Sequence, residues 1–234
     1  MPFNRYGFHT KGQGLAKMSN VEVELLNTVK QLNKAGYGVF IFDFRNHGES
    51  DSANNGVCGV GYHEWPDVVA AMEHIKSNAE LKDKSVGMVI NCMGANSALI
   101  AMAKEPALFK EIKAVVAIQP VSYDIFMKHY LQDKMAIFKG KFNSINDQVK
   151  KIAGVGFEEM SPSKYISSIK APVMYVQVKN DAWTEPADVQ SFYDKTTSEK
   201  ELFWIEGDLE RFDGYNYFGK KPEKMIGWLD KFMK

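Results

Sequence analysis

One cysteine, set in a sharp turn, is the residue of this chain best suited to do chemistry. Residues 85–99 read SVGMVINCMGANSAL: the apolar run Val86–Ile90, the turn NCMG at 91–94, then small and apolar residues at helical spacing. The run suits a strand buried on both faces. A strand, a tight turn that carries Cys92, and a helix together form a nucleophile elbow. The elbow would place the sulfur at the carboxyl edge of the sheet and point the first N–H groups of the helix, including that of Met93, at a substrate.

The cysteine count leaves a second interpretation of Cys92 open. The chain holds two cysteines, Cys58 and Cys92, which are too few for a disulfide framework. No metal-ligand spacing surrounds either cysteine, so no metal and no cofactor is expected. Free cysteines are among the most buried residue types, so the alternative is that Cys92 is a structural core cysteine.

The composition limits the class of protein and its partners. The chain has 234 residues, with 29 Lys and Arg against 29 Asp and Glu, so one domain with no net charge is expected. Nothing therefore favours a nucleic acid or an anionic membrane as partner. No apolar run approaches the roughly 18 residues of a membrane span, and the start lacks a signal-peptide core. We expect a soluble cytoplasmic protein that binds a small molecule.

Strands and helices alternate along the sequence. This order predicts a parallel sheet covered by helices on both faces. Strands are predicted at 37–44, 86–90, 112–119, 173–178 and 201–205, and helices at 20–35, 66–77, 185–195 and 225–233, besides the elbow helix from residue 95. Residues 121–170 lack a strand-like run and carry weak helical patterns separated by glycines.

A second motif carries a family resemblance. Residues 36–50 read GYGVFIFDFRNHGES, and with the elbow this stretch resembles the α/β-hydrolase superfamily. Cys92 stands where that superfamily usually has serine, Gly94 fits the second glycine of G-x-S-x-G, and Ile90 replaces the first. The resemblance implies a three-layer α/β sandwich in one domain, residues 1–234, with residues 121–170 as a helical cap.

The resemblance also gives the start of the chain a role and raises a structural question. Residues 6–9, YGFH, match the loop that donates an oxyanion-hole N–H, so Phe8 and Met93 are the expected donors. In the superfamily this loop follows a strand in the middle of the sheet, beside the elbow strand, and two further strands usually precede that strand. Either the chain is truncated, or something unusual fills that position, because an empty position exposes unpaired backbone. Dimerisation is one way to fill it.

The remaining triad positions are unusual. Asp181 follows the strand at 173–178 in a way that resembles the loop of the triad acid, and Glu210 falls where the superfamily has its general-base histidine. The implied triad is Cys92, Asp181 and Glu210. Unperturbed pKa values near ~8.5 for Cys and ~4.3 for Glu make proton transfer to Glu unfavourable by roughly 6 kcal/mol. Glu210 is therefore a poor base for the thiol.

Three alternatives to a Glu base remain open. His9 or His63, both on loops at the carboxyl edge of the sheet, could replace the histidine. Arg211 and the helix dipole could activate the thiol without a base. Finally, aromatic residues near the site, Trp183 and Phe212 above all, could line a pocket for a small apolar or acyl ligand.

Two functional hypotheses follow. The first is a hydrolase-like enzyme that acts on a small ester, thioester or lactone through the Cys92 nucleophile. The second is a non-catalytic, ligand-binding member of the fold that has lost its general base. The presence of Cys92 in an elbow favours the first, and Glu210 at the histidine position favours the second.

Overall fold

A parallel sheet of four strands forms the centre of the molecule. The computed structural model describes residues 3–8, 19–133, 135, 138 and 140–234. The strands of this sheet lie in sequence order and are β4 (Met88–Asn91), β5 (Val115–Ile118), β6 (Val173–Val178) and β7 (Lys200–Ile205). Both central strands are buried along their whole length, as their apolar composition requires, whereas β4 at the edge is half-buried throughout.

Helices cover both faces of this sheet. They are α1 (Leu25–Lys34), α2 (Trp65–Ser77), α3 (Met93–Lys104), α4 (Pro106–Phe109), α5 (Tyr123–Asp133), α6 (Phe142–Ala153), α7 (Pro186–Lys195), α8 (Asp213–Lys220) and α9 (Glu223–Met233). Side chains of α1, α8 and α9 pack with one face of the sheet, and those of α2, α3 and α7 pack with the other. Two cores on opposite faces make the three-layer sandwich that the sequence predicts.

Residues 37–44 differ from the prediction, because they form no ladder with another strand among the described residues. Their side chains still alternate as in a strand. Tyr37 and Val39 pack against the core of α1 and α9, while Phe42 and Phe44 pack against the core of α2 and α3. The alternation that predicts a strand is therefore present, and the difference from the prediction is that the described residues provide no hydrogen-bonding neighbour.

The start of the chain also differs from the predicted loop. Strand β1 (Phe3–Asn4) and strand β2 (Gly7–Phe8) form an antiparallel hairpin, and β2 also pairs with β3 (Val23–Glu24). These strands form a separate sheet of three strands and do not join the parallel one. Arg5 connects the hairpin to residues 37–44 through two contacts with Asp43. Its amide donates to Asp43 Oδ1 at 2.6 Å, and its guanidinium forms an ion pair with the same carboxylate.

Residues 121–170 contain α5 and α6, in agreement with the weak helical patterns. Helix α5 lies over the carboxyl edge of the parallel sheet, where the rings of Phe126 and Tyr130 meet the Trp183 ring edge-on at 5.5 and 5.4 Å. Helix α6 packs with a smaller cluster formed by Val155, Phe157 and Met160. Across the described ranges, no helix has the length and apolarity needed to cross a bilayer.

Candidate active site

Cys92 lies at the turn between β4 and α3, in the strained backbone of an elbow. Its φ of 46° and ψ of −114° fall outside the regions that a non-glycine residue prefers. Such a conformation costs of order 1–3 kcal/mol and persists where the surroundings enforce it. Here the Cys92 amide donates to the Ile118 carbonyl at 2.9 Å, and the Cys92 carbonyl accepts from the Asn96 amide at 2.9 Å. These contacts fix the turn between β5 and the first turn of α3.

The first turn of α3 is held rigidly beneath the cysteine. Asn96 is fully buried, and its side chain bonds the carbonyls of Val60 and Val121 and the Val121 amide at 3.0–3.1 Å. Met93 is the first residue of α3, so its N–H is one of the helix-end donors that lack an intrahelical partner. Cys92 and Met93 are both half-buried. The backbone donor predicted at Met93 is therefore adjacent to the sulfur by chain geometry.

Asp181 is buried in the loop after β6, where four donors hold its carboxylate. Its oxygens accept from the Trp183 amide at 3.0 Å, Thr184 Oγ1 at 2.8 Å and Gln177 Nε2 at 3.1 Å. The fourth donor is Arg211, whose Nη1 lies 2.5 Å from Asp181 Oδ2. Hydrogen bonds and the neighbouring cation compensate the charge of a carboxylate that is only 8% exposed.

Arg211 contacts both Cys92 and Asp181. Its second terminal nitrogen, Nη2, points at Cys92 Sγ at 3.7 Å and donates to the Gln119 carbonyl at 2.9 Å. The guanidinium is 3% exposed, and its carbon lies 5.3 Å from the Phe126 ring centroid. The structure thus brings Cys92 and Asp181 together through Arg211, whose guanidinium lies between the sulfur and the carboxylate.

Arg211 keeps its positive charge in this environment. Burial alone would lower the pKa of Arg211, but the neighbouring Tyr215, Asp181 and Cys92 more than reverse this and raise it above its ordinary value. Burial also raises the pKa of Tyr215 well above its ordinary value. The Tyr215 hydroxyl lies close enough to Cys92 to interact electrostatically with its sulfur. By hydrogen-bond geometry, this hydroxyl has no partner among the described residues. Arg211 therefore stays a cation and Tyr215 a neutral phenol.

The backbone around Arg211 is fixed by its packing on the sheet. Gln119, just after β5, has a positive φ of 51° and donates from Nε2 to the Arg211 carbonyl at 2.5 Å. Gly214, in the first turn of α8, leaves no room for a side chain, because a Cβ would lie 2.6 Å from Gln119 Nε2 and 2.9 Å from Val178 Cγ2. A glycine here lets α8 approach the strands closely enough for the preceding Arg211 to reach the elbow.

Glu210, the residue that the sequence places in the triad, is not brought to this centre. It is exposed, and its Oε2 accepts from Ser19 Oγ at 3.0 Å. Its amide donates to Asp213 Oδ2 at 2.9 Å. None of its described contacts involves Cys92 or Asp181. The loop after β7 presents the next residue, Arg211, instead.

Of the other predicted site residues, some lie near Cys92 and some do not. His63 Nε2 lies 3.0 Å from the Ala153 carbonyl, and none of its described contacts involves Cys92. His9 lies outside the described residues. Phe8 is buried in the same core against which Cys92 and Met93 pack. Its ring lies 5.3 Å from that of Phe212, so strand β2 stands next to the site.

The aromatic residues predicted to line a pocket form a closed cluster. Trp183 and Phe212 are 4% and 3% exposed, and their rings meet edge-on at 5.8 Å. Two clefts stand out on the surface: one of about 440 Å³ beside Phe42 and one of about 500 Å³ beside Ser122. Neither is lined by Cys92, Asp181 or Arg211. Trp183 and Phe212 therefore lie in a closely packed aromatic cluster, and the rings that face the buried guanidinium are those of Phe126 and Tyr215.

Sequence reasoning missed the aromatic contribution of α5 and the role of Gln119, and it considered Tyr215 only as a pocket-lining aromatic residue. Phe126 and Tyr130 lie four residues apart on α5, and this spacing places them on one helix face. The sequence therefore contained a signal for an aromatic helix face at these two residues. The sequence suggests Arg211 only as an activating charge, and its contact with Asp181 depends on how the loop after β7 folds. Within the described ranges, no group of three or more His, Cys, Asp or Glu side chains could hold a metal ion.

Comparison with known proteins identifies the family. A family model described as the alpha/beta hydrolase fold matches residues 13–149, which is more than half of the chain. The chain therefore belongs to the α/β-hydrolase fold family, and the predicted fold class is confirmed.

Individual relatives agree with this assignment. The chain is 24% identical over 219 residues to Uncharacterized protein YqkD of Bacillus subtilis, in a match that covers 86% of this chain and 68% of that protein. The Pyrococcus furiosus esterase Pf2001 is 25% identical with a TM-score of 0.68, covering 89% of this chain and 76% of that one. A Paleococcus ferrophilus monoacylglycerol lipase is 16% identical with a TM-score of 0.57 over 87% of each chain, a likeness of fold.

Proposed function

We propose that this protein is an acyl-transfer enzyme of the hydrolase type, which acts on a small ester, thioester or lactone through Cys92. The observation that carries the proposal is the contact of Arg211 Nη2 with Cys92 Sγ at 3.7 Å, at an elbow whose φ is 46°. A core cysteine needs neither a strained backbone nor a buried cation at its sulfur. The similar esterase and lipase folds support the same class of reaction.

The roles of the residues follow from their chemistry. Arg211 cannot accept a proton, so the thiol proton of Cys92 goes to solvent and the guanidinium stabilises negative charge on the sulfur. Asp181 holds the guanidinium in place through the 2.5 Å ion pair. The N–H groups of Met93 and Phe8 would receive the negative charge that develops on the substrate oxygen.

Turnover of p-nitrophenyl acetate and of a short acyl thioester tests the proposal. Cys92→Ala is expected to abolish turnover and Cys58→Ala to retain it, because Cys58 is not in contact with Arg211 through any described hydrogen bond. Mass spectrometry of the protein stopped during turnover should find the acyl group on the peptide that contains Cys92. Equal turnover by wild type and Cys92→Ala would reject the proposal.

A ligand-binding protein without turnover is the second candidate. It is favoured by one observation: among the described residues, no imidazole contacts Cys92 or Asp181. In this case wild type would bind short fatty acids or acyl amides, and no acyl group would appear on Cys92. The same mass spectrometry therefore decides between the two candidates.

A further inference from the structure

The hydroxyl group of Tyr215 is a buried polar group that no described residue satisfies. Tyr215 is 7% exposed, and its oxygen has no hydrogen-bond partner within the described part of the chain. Buried hydroxyl groups in proteins are nearly always hydrogen-bonded, because an unpaired one destabilises the fold. A buried hydroxyl without a structural partner therefore calls for a functional explanation, such as a contact with a substrate.

Tyr215 lies in the first turn of α8, four residues after Arg211. Its ring centroid is 5.8 Å from the Arg211 guanidinium carbon, and Arg211 Nη2 is 3.7 Å from Cys92 Sγ. Gly214 lets this turn pack tightly on the sheet, since a Cβ there would lie 2.6 Å from Gln119 Nε2. Tyr215 also belongs to the core cluster against which Cys92 packs. The phenol and the thiol are therefore neighbours of the same guanidinium.

The transfer of an acyl group from an alkyl ester to a cysteine requires a proton donor. The tetrahedral intermediate holds both the Cys92 sulfur and the alkoxy oxygen of the substrate. A thiolate, whose conjugate acid has a pKa near ~8.5, is a far weaker base than an alkoxide, which is about as basic as hydroxide, the conjugate base of water with its pKa of roughly 15.7. Without a proton donor the intermediate expels Cys92 again, so the reaction proceeds only when the alkoxy oxygen is protonated as it leaves.

We infer that Tyr215 donates this proton, because the structure places its unpartnered hydroxyl in the core beside the guanidinium that contacts the reacting sulfur. The inference rests on the proposed function, since it takes Cys92 as the nucleophile. A phenol has an ordinary pKa of about 10, so it carries its proton at neutral pH and is still a much stronger acid than an alcohol. Arg211 cannot supply the proton, because a guanidinium does not deprotonate in proteins.

The atoms and charges balance over one turnover. In acylation, Cys92 Sγ bonds to the carbonyl carbon, the bond from that carbon to the alkoxy oxygen breaks, and that oxygen takes the electron pair and the Tyr215 proton. The products are an acyl-cysteine, an alcohol and a phenolate beside Arg211. In deacylation, water bonds to the acyl carbon and gives a proton to the phenolate, while Cys92 leaves as a thiolate. Tyr215 is thereby restored, and the carboxylic acid loses its proton to solvent.

Tyr215→Phe, which removes a single oxygen atom, tests the inference with the ethyl and p-nitrophenyl esters of one short carboxylic acid. The p-nitrophenolate leaves as a stable anion and needs no proton, so its ester is the internal control. We measure kcat/KM, which for a covalent intermediate reports the steps through departure of the alcohol. Tyr215→Phe is expected to lower this value by about 10²–10⁴-fold for the ethyl ester and by less than about threefold for the p-nitrophenyl ester.

Tyr217→Phe is the matched control variant. Tyr217 lies on the same helix, and its described contacts are with Phe203, Phe218 and Lys221 rather than with Cys92 or Arg211. This variant should hydrolyse both esters like wild type. Because the Tyr215 hydroxyl has no described partner, its removal breaks no hydrogen bond, and the Tm of Tyr215→Phe should equal or exceed that of wild type.

The outcomes separate this inference from the proposed function. An equal loss on both esters in Tyr215→Phe, or no loss on the ethyl ester, would overturn the role of Tyr215 and leave Cys92 as the nucleophile. Wild type alone decides the question if the variant does not fold: acylation of Cys92 by the p-nitrophenyl ester and none by the ethyl ester would show that the site lacks a proton donor. Absence of an acyl group on Cys92 from both esters would overturn the proposed function as well.

Discussion

At the Cys92 sulfur, a guanidinium takes the place that an imidazole would fill in a cysteine–histidine pair. An imidazole both removes the thiol proton and returns it to the leaving group. A guanidinium does neither, but its charge is permanent and its planar fork reaches two partners at once. Arg211 uses this fork to contact Asp181 through Nη1 and Cys92 through Nη2. In the proposed mechanism, Asp181 therefore serves to position a cation.

The two cysteines should differ sharply in reactivity. Burial, followed by the charge of Glu64, raises the pKa of Cys58 to about 12, and its Sγ lies 3.4 Å from Met93 Sδ. At pH 8 its thiolate fraction is roughly a thousand-fold below that of an ordinary thiol. We expect iodoacetamide to modify Cys92 first and Cys58 only after unfolding. Peptide mapping after timed labelling measures this, and faster labelling of Cys58 would contradict the assignment.

Glu210 and Arg211 allow a direct comparison between the residue that the sequence predicts in the triad and the residue whose side chain contacts Cys92 and Asp181 in the structure. Glu210→Gln is expected to change kcat/KM less than threefold, because the exposed carboxylate contacts Ser19. Arg211→Gln is expected to lower it by about 10²–10³-fold, the usual effect of removing one electrostatic contact to a reacting centre.

A folding control accompanies this comparison. Arg211→Gln leaves Asp181 buried without its cation, which costs about 3–5 kcal/mol of stability. Asp181→Asn combined with Arg211→Gln removes both charges and should recover much of that loss. If the stable double variant retained wild-type activity, or if Glu210→Gln were the inactive variant, the role given to Arg211 would be wrong.

At the scale of elements, the sequence predicts the elbow well and the loop after β7 poorly. The apolar run 86–90 and the small residues after it determine β4 and α3 by local pattern alone. The position of Arg211 depends on Gln119 and Gly214, which lie far apart in the sequence and meet only in the folded chain. The sequence prediction matched Glu210 to the histidine position of the superfamily, and such a match cannot detect a shift of one residue in the loop.

Residues 37–44 show a different limit of sequence reasoning. Alternating apolar side chains predict that a segment lies in a sheet plane, and Val39 and Phe42 do face the two cores. Alternation carries no information about the neighbouring strand, because ladder hydrogen bonds involve the backbone of another segment. The sequence therefore predicts which side chains of the segment face each core, but it does not predict which strand the segment pairs with.

The contact between Asp43 and the amino-terminal hairpin predicts a pH-dependent stability. Burial alone would raise the pKa of Asp43, but hydrogen bonds from the Glu49 and Arg5 amides, with the Arg5 charge, lower it on balance. The ionised carboxylate thus stabilises the fold above the unfolded pKa of about 3.9, and this contribution is lost as the pH falls through the folded value. Asp43→Asn should lower the free energy of unfolding by about 1–3 kcal/mol at pH 7.

Urea unfolding at pH 7 and pH 3 measures this effect. The difference between Asp43→Asn and wild type should shrink at pH 3, where the wild-type carboxylate is increasingly protonated. Asp51→Asn, an exposed position of the same loop, is the matched control and should unfold like wild type at both pH values. A deficit of Asp43→Asn that grew towards pH 3 would contradict a stabilising role for the ionised Asp43 carboxylate.

At the scale of the whole molecule, the described residues on the two sides of the parallel sheet differ in burial and pairing. Strand β4 is half-buried along its length, and residues 38–43 have no described ladder partner, whereas β6 lies between β5 and β7. Backbone amides without a partner exchange with solvent without an opening step. We expect the amides of residues 38–43 to exchange far faster than those of Val173–Val178. Hydrogen exchange followed by mass spectrometry measures this, and equal protection would show that residues 38–43 are paired in solution.

The rate of acylation at a single sulfur is the most direct test of the role of Arg211. In the Cys58→Ala background, a short acyl thioester should add one acyl group per chain, on the peptide that contains Cys92. The same measurement in Arg211→Gln, with the Asp181→Asn double variant as the folding control, should give a rate at least about 10²-fold lower. An unchanged rate without Arg211, or an acyl group on any other residue, would contradict the claim that a buried guanidinium makes Cys92 the nucleophile.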